Sequence, residues 1–489
     1  MNIAKSYVTY EEFGAKGDGI TDDMPAIVAC HEYANENGID VLARDGAEYY
    51  IGGRDITATI KTNVNWGKAR FIIDDRKLEN IHQSCFIVAS DAERFTPDIG
   101  NLKKGQKKVS LGREGSFFVR VTDDTRRVYI RKGLNMNNGI AAIDSFVVDS
   151  EGNVIGDINW DYDTITSAVA FSVDDKPIRI EGGIFTTIAN CAPSFYNYHS
   201  RNININRSHV TVSGVTYLVE GEGDHGAPYT GFFSIECCYD VTLENCLLTP
   251  HFTYKTESKI PGQLVSMGTY SINISAAINV RLINIKQTID ISDNRYWGLM
   301  GSNFSKNFYM ENCEISRYDA HMGVTDCRIN NCRLGYMGVN LIGFGECVVE
   351  NTTFVCSRTV SLRDDYGSSF NGKLTIRNCR WIPTASKDRT LLEAIRANNT
   401  GTHNFGYNCY MPFEIEIDGL VIDDAHLENP SLSYSILPEY DKEYEAGKPY
   451  AYITPDKVSV RGVSTVSGRE VELCKKTELY PHFADYEWI

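Results

Sequence analysis

A ragged repeat of short strands constrains the fold of this chain more than any other feature of its sequence. Each copy alternates apolar and polar residues, ends in a polar turn and continues with a small or apolar residue. The copies begin at residues 178, 210, 241, 280, 308, 327, 347 and 374. Their spacing of about 20 to 40 residues is typical of solenoids in which each repeat forms one coil. No copy can bury its apolar face alone, so the repeat predicts a stack of parallel strands.

The turn that ends each copy carries further information. Asn is common there and tolerates the left-handed conformation that a corner between two sheets requires. Cys246, Cys313, Cys332 and Cys379 each follow such a turn. We interpret them as an interior ladder of small apolar side chains rather than as catalytic thiols. The 14 Cys residues show no compact disulfide spacing and no Cys-x-x-Cys pair, which predicts reduced thiols inside the core and no zinc site.

The N-terminal region has the features of a solenoid cap. Residues 13–23 read FGAKGDGITDD, a Gly- and Asp-rich turn, and precede a helix that we predict over Pro25–Asn37. A capping Asp and an early Pro favour its start, and Gly38 favours its end. This segment resembles the N-terminal cap of the pectate-lyase-like (pectin-lyase-like) β-helix superfamily. The resemblance implies an all-β, right-handed parallel β-helix whose open end is closed by the helix.

The strand patterns divide the chain into four parts. Residues 1–106 form the cap and the first coils, and residues 107–170 alternate in the manner of an antiparallel meander, which predicts a small antiparallel β subdomain. Residues 171–425 carry the parallel β-helix, with repeats from Ile178 to Asp424. Residues 426–489 form a Tyr-rich C-terminal extension, to which we assign no chemistry.

The charge and composition of the chain restrict the classes of ligand that it can bind. A formal net charge of −16 disfavours nucleic acid and, more weakly, a strongly anionic polysaccharide. The 28 Tyr residues suit stacking on sugar rings, although a β-rich surface favours Tyr as well. No stretch reaches membrane-spanning length and the N-terminus shows no apolar signal core. The sequence as given therefore predicts a cytoplasmic protein, or an extracellular one if a leader has been removed.

The richest candidate for chemistry is the segment RYDAHMGVTD at residues 317–326, between two copies of the repeat. Asp319 and Asp326, with His321 between them, offer an acid and a nucleophile or base for glycoside hydrolysis. If a bend at Gly323 brings the carboxylates within about 5 Å, they form a retaining pair, whereas a larger separation makes the enzyme inverting. The alternative is that both Asp residues only form turns.

This pair of Asp residues on a late coil is similar to the arrangement in β-helical lacto-N-biosidases of gut bacteria. The resemblance implies that Asp319 is the acid/base, that Asp326 is the nucleophile and that the configuration is retained. It rests on one short stretch and on the shared fold.

Further candidates for substrate binding lie beside this segment or on other coils. They are Tyr318, His321, Trp297, Arg295, Arg363, Asp365, Asp224 and His225. Trp297 is as compatible with a core position as with a stacking platform, and Arg363 and Asp365 are as compatible with a surface ion pair. Glu222 and Asp224 would suit Ca²⁺ only poorly, because their spacing matches no EF-hand-type loop. We therefore expect neither a cofactor nor a metal.

Three functions remain open. The first is a glycoside hydrolase that acts on neutral or mildly substituted oligo- or polysaccharides. The second is a polysaccharide lyase, which would use a Lys, Arg or His base and a cation to neutralise a uronate. The third is a non-catalytic, carbohydrate-binding β-helix similar to a phage tailspike, and this function would imply a homotrimer. The first fits the carboxylate-rich segment best.

Overall fold

The computed structural model describes residues 6–258, 260–397, 405–439 and 452–489. In this part of the chain, 28 strands form one continuous parallel sheet that winds around a common core. Each coil contributes strands to three faces, which we call the first, second and third sheets. The all-β fold and the parallel coils predicted from the repeat are thus confirmed.

The strands group by face. The first sheet contains Tyr7–Thr9, Asp40–Leu42, Val210–Ser213, Tyr239–Glu244, Ile278–Ile283, Gly343–Glu350 and Glu487–Trp488. The second sheet contains Asp18–Asp22, Glu48–Ile51, Thr216–Glu220, Leu247–Leu248, Lys286–Gln287 and Thr353–Cys356. The third sheet contains Ala58–Ile60, Phe86–Val88, Ile203–Ile205, Phe233–Glu236, Ile272–Ser275, Val360–Leu362 and Ile395–Arg396.

Eight long strands bend around a corner and belong to two or three sheets. They are Val64–Asp74, Ile178–Ile188, Met300–Glu311, Glu314–Asn330, Arg333–Leu341, Phe370–Pro383, Glu414–Ile422 and Lys457–Thr465. Smaller sheets pair Leu391–Glu393 with Ser433–Ser435 and Val471–Glu472, Cys409–Tyr410 with Tyr452–Ile453, and Tyr254–Glu257 with Leu264–Met267. Short 3₁₀ turns occur at Tyr10–Phe13, Asp364–Tyr366, Thr477–Leu479 and Phe483–Asp485.

The core consists of columns of buried side chains that occupy matching positions on successive coils. Ile329, Val349, Ile376 and Ile417 lie opposite one another on four successive coils, and each is fully buried. Burial of one such side chain contributes about 1.5–3 kcal/mol. Because successive side chains of a strand alternate, each buried column fixes the outward direction of the residues beside it.

Asparagines occupy one corner in six coils. They have φ between 49° and 56° and are Asn245, Asn284, Asn312, Asn331, Asn351 and Asn378. Their amides also bond between coils: Asn284 Nδ2 donates to Asn245 Oδ1 at 2.8 Å, and Asn331 Nδ2 donates to Asn312 Oδ1 at 2.7 Å. The left-handed corner is therefore confirmed, and a side-chain ladder that the sequence did not predict stabilises it.

The residues after these corners point inward, as predicted. Cys246, Cys313, Cys332 and Cys379 are buried free thiols. The prediction that all Cys residues lie in the core is wrong for two others. Cys191 is exposed because it lies in the loop after Ile178–Ile188, and Cys237 is half-buried because it occupies a corner between two strands.

The helix Met24–Asn37 covers the first coil with a buried stripe that includes Ile27, Cys30 and Ala34. It ends at Gly38, with φ of 62°. The predicted helix and its role as a cap are confirmed.

The N-terminal hydrogen bonding of this helix differs from the prediction. Asp23 precedes it, but its carboxylate accepts the backbone amides of Lys16 at 2.6 Å and Gly17 at 3.0 Å. Asp22 instead accepts the amide of Met24 at 3.2 Å. The Gly- and Asp-rich turn thus folds onto the helix start through Asp23.

The antiparallel subdomain is inserted between two coils. Its strands are Phe117–Val128, Ile140–Val148, Val154–Ile155 and Ser167–Ser172, and they pair as an antiparallel sheet. Lys306 of the β-helix forms an ion pair with Asp144 of the subdomain, and both side chains are 1% exposed. A broken buried pair costs several kcal/mol, so this contact holds the subdomain in one position.

The coils extend beyond the limits expected from the repeat. Val64–Asp74 pairs with Ile178–Ile188, so the stack begins before the subdomain. Lys457–Thr465 pairs in register with Glu414–Ile422, and Glu487–Trp488 adds a last strand. The stack therefore continues past residue 425 into the C-terminal extension. In the described residues, no helix combines the length and apolarity that crossing a membrane requires.

Two substitutions at Asn331 test the corner. Ala places a Cβ in the left-handed region and removes the amide, whereas Gly removes the amide without strain. We expect Asn331→Ala to lower the free energy of unfolding by about 1–2 kcal/mol more than Asn331→Gly. Denaturant unfolding of both variants measures the difference, and equal stabilities would contradict the assigned strain.

Candidate functional site

A groove of about 1010 Å³ lies over the outer face of the third sheet. Its floor is built from outward side chains on successive coils, namely Asn273, Asn303, Asp319, His321, Asn340 and Ser361. One wall is formed by Phe252 and Trp297 from loops and by Tyr336 from the strand Arg333–Leu341, and the other by Arg131 and Asn135 of the subdomain. The in-register stacking of coils therefore assembles a polar floor from residues that are far apart in sequence.

Strand alternation decides which residues of the predicted segment reach the groove. Asp319 and His321 point outward. Tyr318 points inward, is 0% exposed and packs with its ring 5.1 Å from that of Phe308. The prediction that Tyr318 binds substrate is therefore wrong, because the strand turns that side chain into the core.

Asp319 is held by three donors. Its carboxylate accepts hydrogen bonds from the Tyr270 hydroxyl and from Arg363 Nη1, the latter at 2.5 Å, and Arg317 Nη1 lies 3.7 Å away. Burial alone would raise its pKa, but the charges of Arg363 and Arg317 outweigh burial and hold the pKa of Asp319 well below its usual value. Asp319 is therefore ionised and fully engaged at neutral pH.

The charge network continues to the subdomain. Arg363 Nη2 lies 3.1 Å from Asp365 Oδ2, and Arg131 Nη2 lies 2.7 Å from the same oxygen. Burial opposes ionisation of Asp365, yet these two guanidinium groups lower its pKa. The predicted residues Arg363 and Asp365 thus lie in the groove, where they connect its floor to its wall.

His321 is the only imidazole that lines this groove in the described residues. Its Nδ1 lies 2.9 Å from Asn303 Oδ1, and Asn303 Nδ2 in turn donates to Asn273 Oδ1 at 3.1 Å. This orientation of the amide assigns the proton to Nδ1 and leaves Nε2 as an acceptor. Burial, aided by the charge of Arg363, lowers the pKa of His321 to about 3, so the ring is neutral at pH 7.

Asp326 lies elsewhere. Glu314–Asn330 is one strand that bends around a corner, and Asp326 occupies that corner with φ of 59°. Its carboxylate accepts the amide of Glu346 at 2.8 Å, and it does not line the groove. The expected pair of Asp319 and Asp326 is therefore not formed, because the chain continues onto another sheet instead of returning.

Of the remaining predicted residues, three line the groove and one does not. Trp297, Arg295 and Asp224 line the groove. The Arg317 guanidinium lies 4.7 Å from the centroid of the Trp297 ring, whereas Arg295 pairs with Asp293 at 2.6 Å. His225 is exposed and is not part of the lining.

The acidic loop near Asp224 is held by its own contacts. Glu222 accepts hydrogen bonds from Tyr254 Oη at 3.0 Å and from the backbone amide of Phe252 at 3.2 Å, and its Oε1 lies 2.8 Å from His251 Nδ1. These contacts use the oxygens that calcium would require. Within the described ranges, no three or more His, Cys, Asp or Glu side chains are grouped to hold a metal.

Several residues that line the groove were not among the substrate-binding candidates taken from the sequence. They are Tyr270, Arg317, Asn340, Arg358, Arg131 and Arg396. Counting alternate residues along the third-sheet strands would have found Asn340. The position of Arg131, by contrast, depends on how the subdomain docks onto the β-helix. In the described residues, the buried Asn340 Nδ2 has no hydrogen-bond partner, and Arg358 has no carboxylate partner.

The lining carries an excess of positive charge. Six Arg residues and Lys255 face four Asp residues, in a chain whose net charge is −16. Because Arg358 has no carboxylate partner in the described part of the chain and burial lowers its pKa, an anionic ligand group would stabilise its charge.

Comparison with known proteins adds to this picture. No family model matches the sequence, and a search of curated proteins finds no match. The tailspike gp61 of Pseudomonas phage phi297 matches with a TM-score of 0.53 and 12% identity, over 94% of this chain and 81% of that one. The tailspike gp49 of Pseudomonas phage LKA1 matches with a TM-score of 0.50 and 13% identity, over 98% and 84%. The chain shares its right-handed parallel β-helix fold with these tailspikes.

A third β-helix of this kind carries a ligand. The Gp54 tailspike of Acinetobacter baumannii bacteriophage AP22, solved in complex with a capsular saccharide, matches with a TM-score of 0.50 and 11% identity. The match covers 96% of this chain and 72% of that one. At these identities, the three matches establish the shared β-helix fold.

Neutralising Asp319 tests the buried network. Asp319→Asn leaves Arg363 and Arg317 without their shared carboxylate, so we expect a loss of about 3–5 kcal/mol in stability. Asp326→Asn, a matched change outside the network, should cost about 0.5 kcal/mol or less. Thermal unfolding of both variants measures this, and equal effects would show that the network does not contribute to stability.

Proposed function

We propose that the groove binds an acidic polysaccharide and cleaves it by β-elimination, with His321 as the base. The observation that carries the proposal is a neutral imidazole whose Nε2 has no hydrogen-bond partner in the described residues, in a groove lined by Arg residues of which Arg358 has no carboxylate partner there. A β-eliminating lyase requires both a base and a cation that neutralises the uronate carboxylate.

A saccharide fits the shape and chemistry of the groove. Trp297, Tyr336 and Phe252 offer aromatic faces along one wall, and Asn340 offers an amide donor from the floor. Sugar rings stack on such faces while their hydroxyl groups bond to amides. The capsular saccharide bound by the AP22 tailspike, which has the same fold, supports this class of ligand.

The charge of the lining revises the expected substrate. The sequence favoured a neutral or mildly substituted saccharide, because the whole chain is acidic. The groove, however, concentrates guanidinium groups, and Arg358 lacks a protein partner among the described residues. A carboxylate on the sugar would occupy that position.

The reaction follows from these roles. His321 Nε2 removes the proton on the carbon next to the uronate carboxylate, and Arg358 with Arg317 stabilises the negative charge that develops. The electron pair forms a carbon–carbon double bond and expels the glycosidic oxygen. That oxygen takes a proton from solvent, because the Tyr270 hydroxyl bonds to Asp319 and burial raises its pKa.

The geometry gives less support to the hydrolysis that the sequence favoured. A general acid must carry a proton at neutral pH, but the pKa of Asp319 is held low by two Arg residues. The proposed partner, Asp326, lies on another sheet. We therefore assign Asp319 a positioning role, in which it orients Arg363 and Arg317.

Polysaccharide digestion tests the reaction. We expect wild-type protein to release unsaturated, ultraviolet-absorbing ends from at least one of polygalacturonate, alginate and hyaluronan. His321→Ala should reduce the rate by about 10²–10⁴-fold, the usual contribution of a general base. His225→Ala is the matched control, since that residue is exposed and outside the groove, and it should keep full activity.

Two results would contradict this assignment. Reducing ends without unsaturation would indicate hydrolysis. Saturable binding of these polymers without any cleavage would indicate a carbohydrate-binding protein of the adhesin type.

The pH profile provides a separate test. His321 accepts a proton only when it is neutral, and its pKa is lowered to about 3 from 6.5. Activity should therefore stay level as the pH falls from 7 to about 5 and decline only in more acidic solution. A kcat/KM that falls tenfold per pH unit below about 6.5 would mean that an unshifted imidazole is the base.

A further inference from the structure

A second groove of about 860 Å³ lies on the side of the subdomain opposite to the first groove, where the subdomain meets the β-helix. It separates the subdomain from the outer face of the first sheet, and its lining includes Lys104, Arg126, Arg127, Phe344, Asn371 and Tyr410. Tyr366 forms the partition: it lines this groove, and its ring stands edge-on to that of His321 at 6.1 Å. The two grooves therefore do not share a floor.

The floor of the second groove combines rings with an amide. Phe344 and Asn371 lie opposite each other on neighbouring coils, and both side chains are half-buried. Tyr410, also half-buried, is anchored on the next coil by a bond from its amide to Ser369 Oγ at 3.2 Å. Partly exposed rings next to an amide that has no side-chain partner among the described residues suit a sugar ring and its hydroxyl groups.

The rim is cationic. Lys104, Arg126 and Arg127 are exposed, and none of them forms an ion pair within the described residues, whereas Asp161 is the single acidic side chain among the lining residues described. The Lys104 ammonium lies 5.5 Å from the Phe344 ring centroid, and the Arg126 guanidinium lies 6.0 Å from that of Trp160. Contacts with the rings of Phe344 and Trp160 thus position the two cations above the floor of the groove.

We propose that this second groove is a separate, non-catalytic binding site for an acidic saccharide. The sugar ring packs against Phe344 and Tyr410, its hydroxyl groups bond to Asn371, and its carboxylate pairs with Lys104 and Arg127. Its lining, as far as the structure describes it, contains no His, Cys or Glu, so the groove offers binding without an evident base. This site does not depend on cleavage in the first groove.

Two binding sites on the protein affect how tightly it binds a polymer long enough to reach both. A chain held in the second groove raises the effective concentration of its neighbouring segments at the first. Long polymers should therefore bind more tightly than short fragments that reach only one groove.

Calorimetric binding tests the site in a background in which the first groove is disabled by His321→Ala and Arg358→Gln. The probes are short oligomers of galacturonate, mannuronate and hyaluronan, with malto-oligosaccharide of equal length as the neutral control. We expect at least one acidic oligomer to bind once per chain and the neutral control to bind weakly. Adding Lys104→Gln with Arg127→Gln should weaken this binding by about tenfold or more.

A matched pair of changes controls for charge. Lys103→Gln with Lys107→Gln also removes two positive charges, from the chain segment that carries Lys104. Those side chains are exposed, pair with Asp163 and Asp157, and do not line the groove. Their loss should leave the affinity unchanged. All four residues are exposed, so folding should be unaffected.

The proposal is overturned if no acidic oligomer binds in the disabled background, if the neutral control binds equally well, or if the matched pair weakens binding as much. Failure of the lyase assignment has a different signature. In that case wild-type protein releases no unsaturated ends, while the binding that depends on Lys104 and Arg127 persists.

Discussion

Hydrogen bonding between successive coils in fixed register is the constraint on which the rest of this structure depends. Strands lie about 4.8 Å apart and alternate their side chains, so one buried column determines where its outward neighbours stand. Ile329, Val349 and Ile376 form such a column in the first sheet. The same register in the third sheet sets Asp319 beside Asn340. The polar floor of the first groove thus arises from outward residues on successive coils.

Buried charge connects this floor to the inserted subdomain. Asp319, Arg363, Asp365 and Arg131 form a continuous chain of ion pairs from the third sheet to the groove wall. Ionised groups out of water are costly unless each has its partner, so the network resists rearrangement. It also shapes the chemistry, because Asp319 loses its capacity as a proton donor while His321 stays neutral nearby. The same network therefore contributes to the docking of the subdomain and leaves His321, rather than Asp319, as the candidate for proton transfer in the groove.

The subdomain separates two grooves of different character. The first combines an imidazole with Arg residues over a polar floor, and the second combines aromatic rings with cations that form no ion pair within the described ranges. Both are positively charged regions on a chain whose formal net charge is −16. If the grooves bind an acidic saccharide as proposed, the local concentration of positive charge, against an acidic background that repels other polyanions, favours capture of a chain with regularly spaced carboxylates.

The sequence by itself determined the parallel coils, the cap and the Asn corners, because these depend on local turn chemistry and on apolar alternation. It also indicated Asp319, His321 and Trp297 as groove residues from one polar segment and its neighbouring coil. Tertiary structure decided that Tyr318 faces inward and that Asp326 turns onto another sheet, since both depend on the register and on the corner. It alone brought Arg131 to Asp365, because the docking of an inserted subdomain depends on contacts such as Lys306 with Asp144, which are 162 residues apart and leave no local pattern.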